Sequence, residues 1–182
     1  MSYSVLITPS SGLIVSISDM KDHLRVDHSD EDDLIQAYIE AATNLAQTIT
    51  RRQFLEATWE TRFDKFLNEL ILDHSPVNEI VSIKYTDSAG DEQTLASGIY
   101  EEDLDHEPAR LVLAENQTTP LTKIKPAAVK VRFISGYATI PKEAVQAIRL
   151  TVGEWYEKRE DHPRMMIQAS ERLLSGLRVL EF

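Results

Sequence analysis

Seven adjacent positions, Asp27-His28-Ser29-Asp30-Glu31-Asp32-Asp33, hold the densest set of potential metal ligands in the 182-residue chain. A calcium loop of the EF-hand kind needs alternate oxygen ligands, a central glycine and a terminal Glu. There is no glycine here, and a helical pattern starts inside the cluster. Carboxylates at that place suit the positive end of the helix dipole, so they read as a loop and a helix N-terminus. Glu154, Glu157, Glu160, Asp161 and His162 form a second acidic set. A di-metal helical bundle takes Glu-x-x-His pairs from two helices, and Glu157-Lys158-Arg159-Glu160 offers no histidine at that spacing. A solvated helix face is the expectation there. The five histidines, at 23, 28, 74, 106 and 162, make no His-x-His or His-x-x-x-His pair. Ser135-Gly136 lacks the first glycine of a nucleophile elbow. Six scattered glycines rule out a phosphate loop or a dinucleotide fingerprint. With no cysteine, disulfides, thiolate nucleophiles and Cys-held zinc are excluded, which suits a reducing cytosol. The expectation is a protein that is not an enzyme, with no catalytic residues, no metal and no cofactor.

Charge narrows the partners. The chain has 19 basic and 30 acidic side chains, a net −11. Residues 1–55 carry −4 and residues 56–137 carry −7, while 138–182 are neutral. No basic stripe is present to neutralise phosphates, so a grip on nucleic acid is not expected. The longest apolar runs, such as Leu13-Ile14-Val15, fall far short of the roughly 20 residues a bilayer span needs. The first basic residue is Lys21 and Pro9-Ser10-Ser11-Gly12 interrupts the early apolar run, so no signal peptide is expected.

Elements follow from period. Residues 3–17 read as an extended arm around a Pro-Ser-Ser-Gly turn. Ser18 is the expected cap of a short helix with Asp19 in its first turn and an end near Arg25. Leu34, Tyr38, Ala41, Leu45 and Ile49 repeat at steps of four, three, four and four, the period of a long helix. From Phe54 the pattern changes to alternation. Strands are expected at 58–63, 79–86, 92–95, 110–113 and 128–134, with a hairpin turn at Asp87-Ser88-Ala89-Gly90. Loops are expected at 64–70, 97–109 and 115–126. Pro141 opens a third helix with a stripe of Val145, Ile148, Val152 and Trp155. An amphipathic segment from Met165 to Leu174 follows. The fold class is α+β, a small helical bundle from the N- and C-terminal helices with a β-rich insertion between them. Residues 1–55 and 138–182 would form the helical part and 56–137 the insertion, as one compact unit overall.

The end of the chain is apolar. Leu173, Leu174, Leu177, Val179, Leu180 and Phe182, with Arg178 among them, put hydrophobic surface where chains are usually polar and mobile. Either these residues return to the core or they are buried on a neighbour.

Several runs resemble a known family. They are Ile17-Ser18-Asp19-Met20-Lys21-Asp22-His23-Leu24-Arg25-Val26-Asp27, then Asp30 to Ile35, Tyr38-Ile39-Glu40-Ala41-Ala42, Thr58-Trp59-Glu60, Pro76-Val77, Tyr85-Thr86-Asp87, Ala89-Gly90, Phe133-Ile134-Ser135-Gly136-Tyr137, Ile140-Pro141, Trp155-Tyr156-Glu157 with Arg159-Glu160, and Leu173-Leu174 near Arg178. In this order they resemble the head–tail connector (adaptor) proteins of tailed bacteriophages and gene-transfer agents. Two departures stand out: Lys125-Pro126 takes the place of an expected Trp-Pro, and the tail after Arg178 is unusually apolar. The resemblance implies a structural subunit of a phage, prophage or phage-like virion, in host cytoplasm before assembly and in the neck afterwards. It implies a homo-oligomeric ring, dodecameric in the particle, that binds the portal protein above and a neck or tail protein below. DNA would pass through without specific binding, and no membrane would be involved. Leu173, Leu174, Leu177, Arg178, Val179, Leu180 and Phe182 would be the interface to portal or neighbouring subunit. Rival readings are another neck protein, such as a head-completion or tail-terminator protein, and a small-ligand-binding or hydrolytic module.

Overall fold

The computed structural model describes residues 2–158 and 169–179. Among them are four helices and eight strands, an α+β architecture. The contacts divide the chain into two compact units, one rich in strands and one helical.

The strand unit comprises the chain up to Ser10, Leu55–Tyr137 and Val179. Its five-stranded sheet has the order β1 (Ser2–Thr8), β2 (Ala57–Phe63), β8 (Val129–Ser135), β4 (Val77–Thr86) and β5 (Glu92–Thr94). A three-stranded sheet has the order β3 (Glu69–Leu72), β7 (Ala109–Leu113) and β6 (Tyr100–Asp103). Every pairing is antiparallel. Alternation explains the packing. Phe63, Val129, Val131 and Phe133 of one sheet share a core with Leu70, Leu72, Ala109 and Leu111 of the other. The intervening Arg62, Lys130 and Arg132 turn outward, as a period of two requires. Burial pushes the Tyr100 phenol up to about 12, and its hydroxyl donates to the Leu67 carbonyl.

The helical unit comprises Ser11–Phe54 and Ala138–Arg178. It holds α1 (Ile17–Leu24), α2 (Asp32–Thr50), α3 (Lys142–Lys158) and α4 (Ala169–Ser175). α1 packs on α2 and α3, while α4 also packs on α2 and α3. The cap of α1 is Ser16, not Ser18. Its hydroxyl accepts from the Asp19 N–H at 3.0 Å, and Ser18 lies inside the helix. The Pro141 carbonyl accepts from Ala144 and Val145, opening α3 one residue after the proline.

The structure differs from expectation in several places. In α2 the period holds but the buried stripe is Ile35, Ile39, Ala42, Ala46 and Thr50, one residue on from the expected set. Leu34, Tyr38, Leu45 and Ile49 flank it half-buried and Ala41 is exposed. In α3 the buried set is Ala144, Ala147, Ile148, Thr151 and Val152, with Val145 and Trp155 half-buried. The loops expected at 64–70 and 97–109 contain β3 and β6. The N-terminal arm, expected with the helices, pairs with β2 and joins the strand unit. Two compact units appear where one was expected. Glu160, Asp161, His162, Leu180, Phe182 and the first part of the expected segment from Met165 lie outside the described residues.

Candidate functional site

The two acidic sets do not converge. Asp32 takes the Lys21 ammonium at 2.8 Å, Glu31 accepts from the Tyr156 hydroxyl, and Asp30 lies 3.9 Å from His28. Glu154 pairs with Lys158 one turn on, at 2.9 Å. Each carboxylate of these pairs has its own partner. Among the described residues no group of three or more His, Asp or Glu could hold a metal ion.

The C-terminal segment divides. Leu174 and Val179 are buried within the chain, Leu173 and Leu177 are half-buried, and Arg178 is exposed. The Leu177 carbonyl accepts from Arg52 Nε, which ties the turn after α4 to the end of α2. Leu174 also lines a small hollow of mixed polarity with Leu45, Ile49, Ala147, Ser170 and Glu171. Leu174 and Val179 thus take the first of the two alternatives open to this segment, a return to the body of the chain.

The outer face of the five-stranded sheet carries an ion-paired grid that sequence reading missed. Glu60 is buried between Arg62 and Arg132, at 2.9 and 2.8 Å. Glu92 likewise bridges Lys84 at 3.2 Å and Lys130 at 2.9 Å. Burial alone would raise the Glu60 carboxyl, but hydrogen bonds from Arg132 and Arg62 hold it below its usual 4.5. Hydrogen bonds from Lys130 and then Lys84 pull Glu92 down to about 2. Four cations against Glu60, Glu92 and Glu79, which opposes Ile134 on the same face, leave this face slightly basic on an acidic chain. The signal was the alternation Arg62, Lys84, Lys130 and Arg132, but their union on one face depends on strand order.

Several runs that carry the family resemblance meet in space. Trp59 opposes Phe133 across β2 and β8 and stacks on His74, centroids 3.6 Å apart. Burial holds the His74 imidazole below its usual value. The Gly136 N–H donates to Pro76, and the Gly136 carbonyl accepts from Asn78 at 2.9 Å. At the hairpin, Asp87 Oδ1 accepts from the N–H groups of Gly90 and Asp91, at 2.9 and 3.0 Å. These runs shape turns and sheet ends.

The comparisons agree with that picture. The family model described as phage gp6-like head-tail connector protein matches residues 14–99. A chain from the neck of an empty gene transfer agent (GTA) particle, computed with C6 symmetry, superposes with TM-score 0.85 at 19% identity, covering 99% of this chain and 97% of that one. A chain of the native GTA virion gives 0.81 at 21% identity, covering 98% and 96%. One from the native GTA neck, computed with C12 symmetry, gives 0.79 at 20%, covering 100% and 97%. A search of curated proteins gives no match. Both positive comparisons lead to structural parts of particles and neither to an enzyme. Residues 14–99 thus resemble the phage gp6-like head-tail connector proteins, and the full length carries the fold of chains from gene-transfer-agent particles.

Proposed function

We propose that this chain is a structural neck subunit of a tailed phage or phage-like particle, working as a homo-oligomeric ring that joins the portal to the neck or tail below. The observation that carries this reading is the likeness in fold to a GTA neck chain across 99% of the present chain. Symmetry of the matched necks supports a ring, since the related chains come from C6 and C12 reconstructions. A net charge of −11 supports a channel through which DNA slides without sticking.

The portal-facing surface in this reading is the end of the chain without its two buried members. Leu173, Leu177, Arg178, Leu180 and Phe182 make the contact, and Leu174 and Val179 hold the segment to the body. Electron microscopy of the protein mixed with its purified portal tests this. Rings stacked coaxially on the portal are the expected result. A chain that remains monomeric and never co-migrates with portal would overturn the proposal.

A further inference from the structure

Two aliphatic side chains stand in water on the loop between β7 and β8. Leu121 is 84% exposed and Ile124 is 101% exposed, far beyond the other exposed large apolar residues described. The loop is nevertheless held. Thr122 bridges to Asp87, the Lys123 N–H donates to the Thr86 carbonyl at 3.0 Å, and the Ala127 N–H donates to Asp64 Oδ1 at 3.1 Å. Pro120 and Pro126 bracket the tip and restrict its backbone. Main-chain bonds thus present a preformed apolar tip, which loses little freedom on docking. The exposed Lys123 and Lys125 flank Ile124, so the tip is both greasy and basic.

A matching surface lies on the outer face of the three-stranded sheet. Strand register puts Glu69, Val112 and Glu101 in one row and Ile71, Arg110 and Asp103 in the next. Ile71 and Val112 are 47% and 37% exposed. Arg110 is already engaged by Asp103 at 2.8 Å and Glu69 at 3.1 Å. Three carboxylates against one guanidinium leave the face acidic around two exposed aliphatics. The five-stranded sheet offers Arg62, Lys84, Lys130 and Arg132 instead, and would repel the lysines.

We infer that the 120–126 tip of one copy docks on the β3-β7-β6 face of a second copy of this chain. Leu121 and Ile124 lie over Ile71 and Val112, and Lys123 and Lys125 face Glu69, Glu101 and Asp103. Tip and face are different patches, so the contact is head-to-tail, the kind that closes into a ring when the rotation allows. The inference rests on the ring reading and supplies one of its contacts. A stable interface buries about 1,600 Å² in total, so the tip is an anchor within a larger contact.

The chain has no cysteine, so introduced pairs report the contact cleanly. Full-length Ile124→Cys and Ile71→Cys variants are mixed, alone at high concentration and with purified portal, under mild oxidation. Disulfide-linked dimers are expected, and the doubly substituted chain gives a ladder. Ile124→Cys mixed with Val81→Cys, exposed on β4, stays uncoupled. Reversing both lysines (Lys123→Glu, Lys125→Glu) weakens self-association on the order of tenfold or more, and Glu101→Lys restores part of it. Rings that form without the 124–71 cross-link and ignore the charge reversal overturn this contact but leave the ring reading standing. A chain that assembles in neither condition overturns both.

Discussion

Gly136 shows what a single residue decides. Its φ is +142°, and a Cβ there would come within 2.7 Å of the Glu56 backbone N and Cα. That is backbone, which cannot swing aside. Gly136→Ala is expected to cost about 3 kcal/mol from strain and overpacking, read as a lower denaturation midpoint; an unchanged midpoint would mean that β8 and the Glu56 segment do not meet so closely. The glycine was visible in the sequence as part of Phe133 to Tyr137, yet nothing local said which backbone approaches it. Glu60 makes the same point with charge. Its folded pKa is lowered, so its contribution is complete above its ordinary 4.5 and is lost as pH falls below that. Glu92 has the same sign, fading from 4.5 toward about 2. His74 adds to the trend, because its lowered pKa makes protonation below 6.5 oppose folding. Stability should therefore drop from neutral pH to about pH 3. Glu60→Gln should lose about 2 kcal/mol at neutral pH and flatten the acid limb. A pH profile of the melting temperature identical for wild type and variant would remove Glu60 from the account.

Among the elements, long-period helices and alternating strands were legible, while their phase and their neighbours were not. The steps of four, three, four and four in α2 identify a helix, but two adjacent stripes share them. Leu34, Tyr38, Leu45 and Ile49 look more apolar than Ala42, Ala46 and Thr50, so hydrophobicity alone selects the wrong stripe. Close packing decides instead: the small residues face the neighbouring helices, where Ala42 and Ala46 face Ala147 and Thr151 across one hollow. Ile39→Ala should therefore cost about 3 kcal/mol, whereas Ala41→Ser stays within about 0.5 kcal/mol. Equal losses in urea titrations would return the helix to the expected phase. Strands β3 and β6 escaped notice because four-residue strands between polar loops have little pattern of their own; both exist by pairing with β7.

For the whole molecule, the two ends of the chain were the least legible parts, and for one reason. Ends are assigned by contacts distant in sequence, which no local pattern encodes. The N-terminal strand finds β2, some 55 residues on, and extends the sheet instead of joining the helices beside it in sequence. At the other end, α4 packs on α2 and α3, Arg52 binds the Leu177 carbonyl and Val179 is buried. Leu177 and Val179 are thus part of the fold. Removing residues 176–182 should lower the melting temperature, because it exposes the Val179 site and leaves Arg52 without that carbonyl. Val179→Asp alone should do the same, costing about 2–4 kcal/mol for an unpaired charge in a buried place. Removing only 180–182 should weaken capture by immobilised portal, the contact proposed for Leu180 and Phe182. A shortened chain that melts normally and still binds portal as well as wild type would take the last three residues out of the proposed interface.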